Sequence, residues 1–151
     1  PYLYFADGVR TDPDIDQRAL EDAVVGELMN FPSVSLAVSS TALRSGDLPA
    51  SDVIDSVVRN FHPKRSGDIY LVFEPNWFIN DFDGLTVAST HGSPWNYDSF
   101  VPIMFAGSGI EPQRVQRRVL TVDVAATLAA YLGTRMPSGS VGEPLAEVLS
   151  R

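Results

Sequence analysis

Apolar and polar positions alternate along this chain in a way that divides it into short helices and strands. Tyr2-Leu3-Tyr4-Phe5-Ala6 is a mostly aromatic run closed by Asp7-Gly8, which predicts a strand over residues 2–6 ending in a turn. Between residues 16 and 30, Leu20, Val24, Val25, Leu28 and Met29 recur at helical spacing. Asp14 or Asp16 is available there as a cap, and Glu21 lies early enough to favour the helix dipole. Residues 33–38 alternate polar and apolar after Pro32, as a half-buried strand does. A short helix over 39–47 ends at Gly46, and a second over 50–61 places Val53, Ile54, Val57, Val58 and Phe61 on one face. Ile69-Tyr70-Leu71-Val72-Phe73 is an unbroken apolar run, the signature of a central strand covered on both faces.

Beyond residue 73 the pattern loosens. Residues 74–84 mix aromatic and acidic side chains with no period and read as a surface loop. Residues 85–88 predict a brief strand and the apolar run 101–105 a buried one. Thr121 is placed to cap a helix over 122–132 that Gly133 closes, and residues 144–149 predict a last short helix. Helices alternating with strands indicate an α/β fold, with an α+β subdomain at the N-terminus.

Composition narrows the function classes. A chain of 151 residues with 44% hydrophobic content is long enough to bury a core. Eleven basic against nineteen acidic residues give a net charge of -8 with no basic stripe, which argues against a nucleic-acid partner. The absence of cysteine removes disulfides and thiolate metal ligands and leaves the compartment open. No apolar run reaches the roughly 18 residues of a membrane helix, so no membrane partner is expected.

The chemistry-bearing stretch is Thr90-His91-Gly92-Ser93-Pro94-Trp95-Asn96-Tyr97-Asp98, a loop immediately before the run 101–105. An imidazole there could bind a metal, although hydrogen bonding is the ordinary role of a loop histidine. His62, the other histidine, follows a helix end, where it can interact with the last carbonyls. Asp81 and Asp83 could flank a metal, but acidic residues in a glycine-containing loop are usually turn formers. Lys64-Arg65 could hold a phosphate, but such a pair is more often solvated. There is no Gly-x-Ser-x-Gly nucleophile elbow and no phosphate-cradling glycine loop.

Several motifs in order nevertheless have a family likeness. His62-Pro63-Lys64-Arg65-Ser66-Gly67-Asp68-Ile69, Leu71-Val72-Phe73-Glu74-Pro75, Thr90-His91-Gly92-Ser93-Pro94, Tyr97-Asp98, Val101-Pro102, the run from Val119 through Ala129 and Pro137-Ser138-Gly139 make up the series. Over residues 33–149 it resembles the C-terminal part of bacterial alkaline phosphatases of the type I phosphodiesterase/nucleotide pyrophosphatase group. Phe100 and Ala126 depart from the family pattern at positions that read as packing.

The resemblance implies part of a phosphatase-like sheet flanked by helices and a metal-dependent phosphoric ester hydrolase, a phosphatase or phosphodiesterase acting on small phosphate esters. It implies two zinc ions in the full-length enzyme, with His91 as the one ligand supplied here, Gly92 and Ser93 shaping its loop and Asp98 orienting it. The nucleophile and the other ligands belong upstream, so the chain reads as a C-terminal fragment that is inactive alone. The strand-like opening directly at Pro1 suits a piece of a longer protein. As domains, residues 1–151 read as one structural unit, 1–75 as an α+β insertion subdomain for which a ferredoxin-like topology is one option, and 76–151 as the His91 loop with closing strands and helices. A periplasmic or secreted location goes with the resemblance. A truncated sheet leaves apolar surface through which the piece would self-associate. Two other readings stand beside this one: a non-catalytic binding or interaction domain that keeps the fold, and a small metal-binding protein using His62 and His91.

Overall fold

Three strands, β1 (Tyr2–Leu3), β2 (Val34–Ser39) and β3 (Ile69–Phe73), form an antiparallel sheet in the order β1-β3-β2. They belong to a computed structural model that describes residues 1–80, 83–84 and 86–149. The apolar run at 69–73 lies in the middle, where both faces are covered. Tyr70 and Val72 join a cluster with Val38, Leu43, Ile54 and Val57, while Ile69 joins Val34 and Ala37 on the other side. Val34 and Ala37 share a face although three residues apart, because a register shift between Val34 and Leu36 resets the alternation.

Helices close both faces. The first, α1 (Asp7–Arg10), is a single turn; α2 (Gln17–Leu28) covers the Ile69 side with Val24, Val25 and Leu28. Asp16 caps α2 by accepting from the Ala19 N–H. On the opposite face, α3 (Ser40–Ser45) and α4 (Asp52–Asn60) are capped by the hydroxyls of Ser39 and Ser51, and Gly46 ends α3 in the left-handed conformation. Glu21 is only 5% exposed and ties the layers across the sheet end: its carboxylate accepts from the Ser40 hydroxyl at 3.0 Å and the Thr41 N–H at 3.0 Å.

β1 and β2 run parallel to each other with β3 antiparallel between them, the arrangement of a split β-α-β unit. This is three strands rather than the four of a complete ferredoxin-like sheet, and the class is α/β. The turn into β3 also fixes β1. A Cβ at Gly67 would stand 2.6 Å from the Leu3 carbonyl oxygen, so only glycine allows this approach. Asp68 then accepts from the Phe5 N–H at 2.7 Å and lies 3.6 Å from Arg10.

The chain divides into two units, Pro1–Val101 and Pro102–Arg151. After α5 (Asn96–Ser99) in the first, the second contains α6 (Asp123–Tyr131) and α7 (Ala146–Leu149). Buried Thr127 joins them, its hydroxyl donating to Asp123 O and accepting from the Leu145 N–H.

Four local expectations change. Residues 4–6 leave the strand, because β1 pairs with β3 only through Tyr2 and Leu3 and the chain then enters α1. Leu85, and with it the start of the expected strand 85–88, lies outside the described residues; 86–88 are not a strand. Residues 101–105 form no strand, and Met104 is 87% exposed. An apolar run supplies the side chains of a buried strand but not the neighbour that completes its hydrogen bonds. Thr121 does not cap α6; Asp123 does related work by accepting from the Leu120 and Glu143 N–H groups at 2.9 and 3.0 Å. Those bonds hold its carboxyl below the usual range.

Candidate active-site loop

The Thr90–Asp98 stretch contains a ring of hydrogen bonds closed by one carboxylate. Asp98 lies in α5, whose single turn begins with the Trp95 carbonyl accepting from the N–H groups of Asp98 and Ser99 at 2.9 Å each. That turn brings Oδ2 of Asp98 back onto Ser93, which donates its backbone N–H at 2.9 Å and its hydroxyl at 2.6 Å. The Ser93 hydroxyl and N–H hold the Asp98 carboxyl below its ordinary range, with smaller contributions from His91 and the Gly92 backbone in the same direction. Gly92 has φ +105°, a conformation that side-chain-bearing residues rarely adopt, and it lets the loop reverse between His91 and Ser93.

Two further residues of the stretch join this ring to β3 and the turn after it, a role the sequence pattern did not assign to them. The Trp95 indole packs against the core cluster on the α3–α4 face, and its Nε1–H donates to the Phe73 carbonyl at 2.9 Å. The Tyr97 hydroxyl accepts from the Asn76 N–H at 3.0 Å. Only general chemistry hinted at them: a half-buried Trp or Tyr generally finds a partner for its polar tip, but sequence cannot say which. His91 itself is exposed and lines a cavity of about 490 Å³ together with Thr90, Ser93, Asp98, Trp77 and Phe73.

The other candidates lie elsewhere. His62 does not line this cavity; its Nδ1 accepts from the Lys64 N–H at 3.2 Å and its own N–H donates to the Ser66 hydroxyl at 2.8 Å. Lys64 and Arg65 are exposed in that turn. Asp81 lies outside the described residues, and Asp83 is exposed with φ +50°. Among the described residues no three His, Asp or Glu side chains converge to hold a metal. The donor chemistry at the loop therefore fits a metal as a single imidazole, one part of a set that the described residues do not complete.

Known proteins similar in sequence and fold give the site its context. Alkaline phosphatase PafA of Elizabethkingia meningoseptica is 30% identical over 150 residues, 99% of this chain and 27% of that protein. The crystal structure of wild-type PafA superposes with a TM-score of 0.81 at 29% identity, covering 99% of this chain and 28% of that one. The chain is a homologue of alkaline phosphatases. A Myroides odoratus protein named calcium-transporting ATPase is also similar, 30% identical over 91% of this chain and 25% of its own length. This alkaline phosphatase homologue spans about a quarter of the length of the curated relatives it matches. No protein-family model matches it.

Proposed function

We propose that this chain is the C-terminal portion of a metal-dependent phosphoric ester hydrolase and that His91 is its metal ligand. The observation that carries the reading is the placement of an exposed imidazole on a braced loop beside a cavity, within a chain whose whole length aligns with alkaline phosphatases. Zinc is the metal that suits an imidazole with carboxylate co-ligands supplied from outside these residues. His91 would hold one such metal, and the chemistry it would supply is Lewis-acid stabilisation of charge developing on the phosphoryl oxygens.

The chain's own contribution is positional. Asp98 holds Ser93 by two hydrogen bonds and thereby fixes the loop backbone two residues from His91, which lessens the ordering that metal binding would otherwise demand. Gly92 makes the loop's reversal possible. The substrates in this reading are small phosphate monoesters or diesters, and the setting is periplasmic or secreted. The isolated chain, with one ligand, is inactive.

The test uses the full-length protein. His91→Ala abolishes phosphatase activity and lowers bound zinc, measured by metal analysis after dialysis. Retention of both overturns the reading and leaves a non-catalytic domain as the alternative.

A further inference from the structure

Where β1 runs out, the side of β3 that it leaves uncovered has an unusual occupant. The Leu71 N–H donates to the Pro1 carbonyl on the β1 side of the strand, and backbone groups in a strand return to the same edge every second residue. The Phe73 carbonyl therefore points to that edge beyond the last paired residue of β1, and its hydrogen bond comes from the Trp95 indole N–H at 2.9 Å. One residue thus stands in for a strand partner, lies against the core cluster of Val38, Leu43 and Tyr70, and sits four positions from His91. Tyr97 adds a second attachment just past the strand, at the Asn76 N–H. The Ser93–Asp98 ring stiffens the loop internally, but Trp95 and Tyr97 connect it to the sheet.

We propose that Trp95, assisted by Tyr97, is a positioning residue for the metal-binding imidazole: it pins the His91 loop to the end of β3 and transmits the rigidity of the core to the ligand. This rests on the metal-ligand reading of His91. A free loop would have to lose its conformational freedom on each binding event, whereas an anchored one has lost it already on folding. Partners that orient a ligand in this way typically change metal affinity by about 10- to 100-fold when removed.

The experiment compares full-length wild type with Trp95→Phe, Tyr97→Phe and His91→Ala. Trp95→Phe keeps an aromatic ring against the core but removes the N–H together with the indole's five-membered ring, and the metal-free midpoint reads that lost packing; Tyr97→Phe keeps its ring and removes only the hydroxyl. Zinc affinity is measured on the metal-free proteins by competition with a chromogenic chelator, and the thermal midpoint of each metal-free protein is measured alongside. Trp95→Phe is expected to bind zinc about tenfold more weakly at an unchanged metal-free midpoint, with a smaller loss for Tyr97→Phe. Wild-type zinc affinity in Trp95→Phe, or a loss matched by a fall in the metal-free midpoint, overturns the anchoring role. If His91→Ala abolishes zinc binding while Trp95→Phe binds normally, only the anchor fails. If His91→Ala binds zinc as wild type does, the ligand reading fails and the anchor with it.

Discussion

Glu21 illustrates what a single buried carboxylate does in this fold. It sits on α2, where the helical period places it among apolar neighbours, and it satisfies a Ser40 hydroxyl that is 1% exposed and the Thr41 N–H at the start of α3. Its negative charge also lies at the positive end of that helix. Replacing Glu21 by Ala leaves both donors without their acceptor, a cost of about 2–3 kcal/mol by analogy with hydrogen bonds to charged groups. Glu21→Gln keeps an amide oxygen and loses less. Urea unfolding of the two variants checks this; equal stability of Glu21→Ala and wild type would show that the buried contact contributes nothing. From the sequence, Glu21 reads only as a dipole-favouring residue, because its distant partners Ser40 and Thr41 appear only when α2 packs beside α3.

At the scale of elements, α7 is a four-residue helix too short to persist by itself, and its attachment decides its place. Arg117 Nε lies 2.5 Å and Nη2 2.8 Å from the two Glu147 carboxylate oxygens, and the Gln113 side-chain amide donates to the Glu147 carbonyl at 2.6 Å. The Arg117 guanidinium lowers the Glu147 carboxyl from 4.5 to about 2. Because the folded-state value is the lower one, the stabilisation is complete above about pH 4.5 and fades as pH falls toward about 2. In Arg117→Ala the Glu147 titration, followed by carboxyl NMR, moves up toward 4.5 and that acid-side loss disappears. A Glu147 value that stays near 2 in the variant would locate the cause elsewhere.

At the scale of the whole molecule, large apolar side chains remain on the surface. Phe100 is 85% exposed in the first unit, and Met104 and Val141 are 87% and 83% exposed in the second. Among the described residues no helix is long and apolar enough to cross a membrane. A chain spanning a quarter of its relatives has less of its own material to cover such positions. The isolated chain is therefore expected to self-associate at high concentration, with an apparent mass in light scattering that rises with concentration. A strictly monomeric mass across the range would count against it.

Sequence alone determined the elements whose signal is local. The helical spacing of Leu20, Val24, Val25 and Leu28 with a cap offered by Asp14 or Asp16, the stop at Gly46 and the unbroken apolar run 69–73 each place their element within a few residues, because caps and periodicity act over one or two turns. Sequence also marked His91, Gly92, Ser93 and Asp98 as one stretch. Tertiary structure decided whatever depends on a distant partner. Residues 101–105 have the composition of a strand but no neighbour to pair with among the described residues. Trp95 has no pattern of its own, yet it meets the Phe73 carbonyl 22 positions away. A hydrogen-bonding tip or an apolar run states what a residue needs, and only the folded chain decides what stands within reach of it.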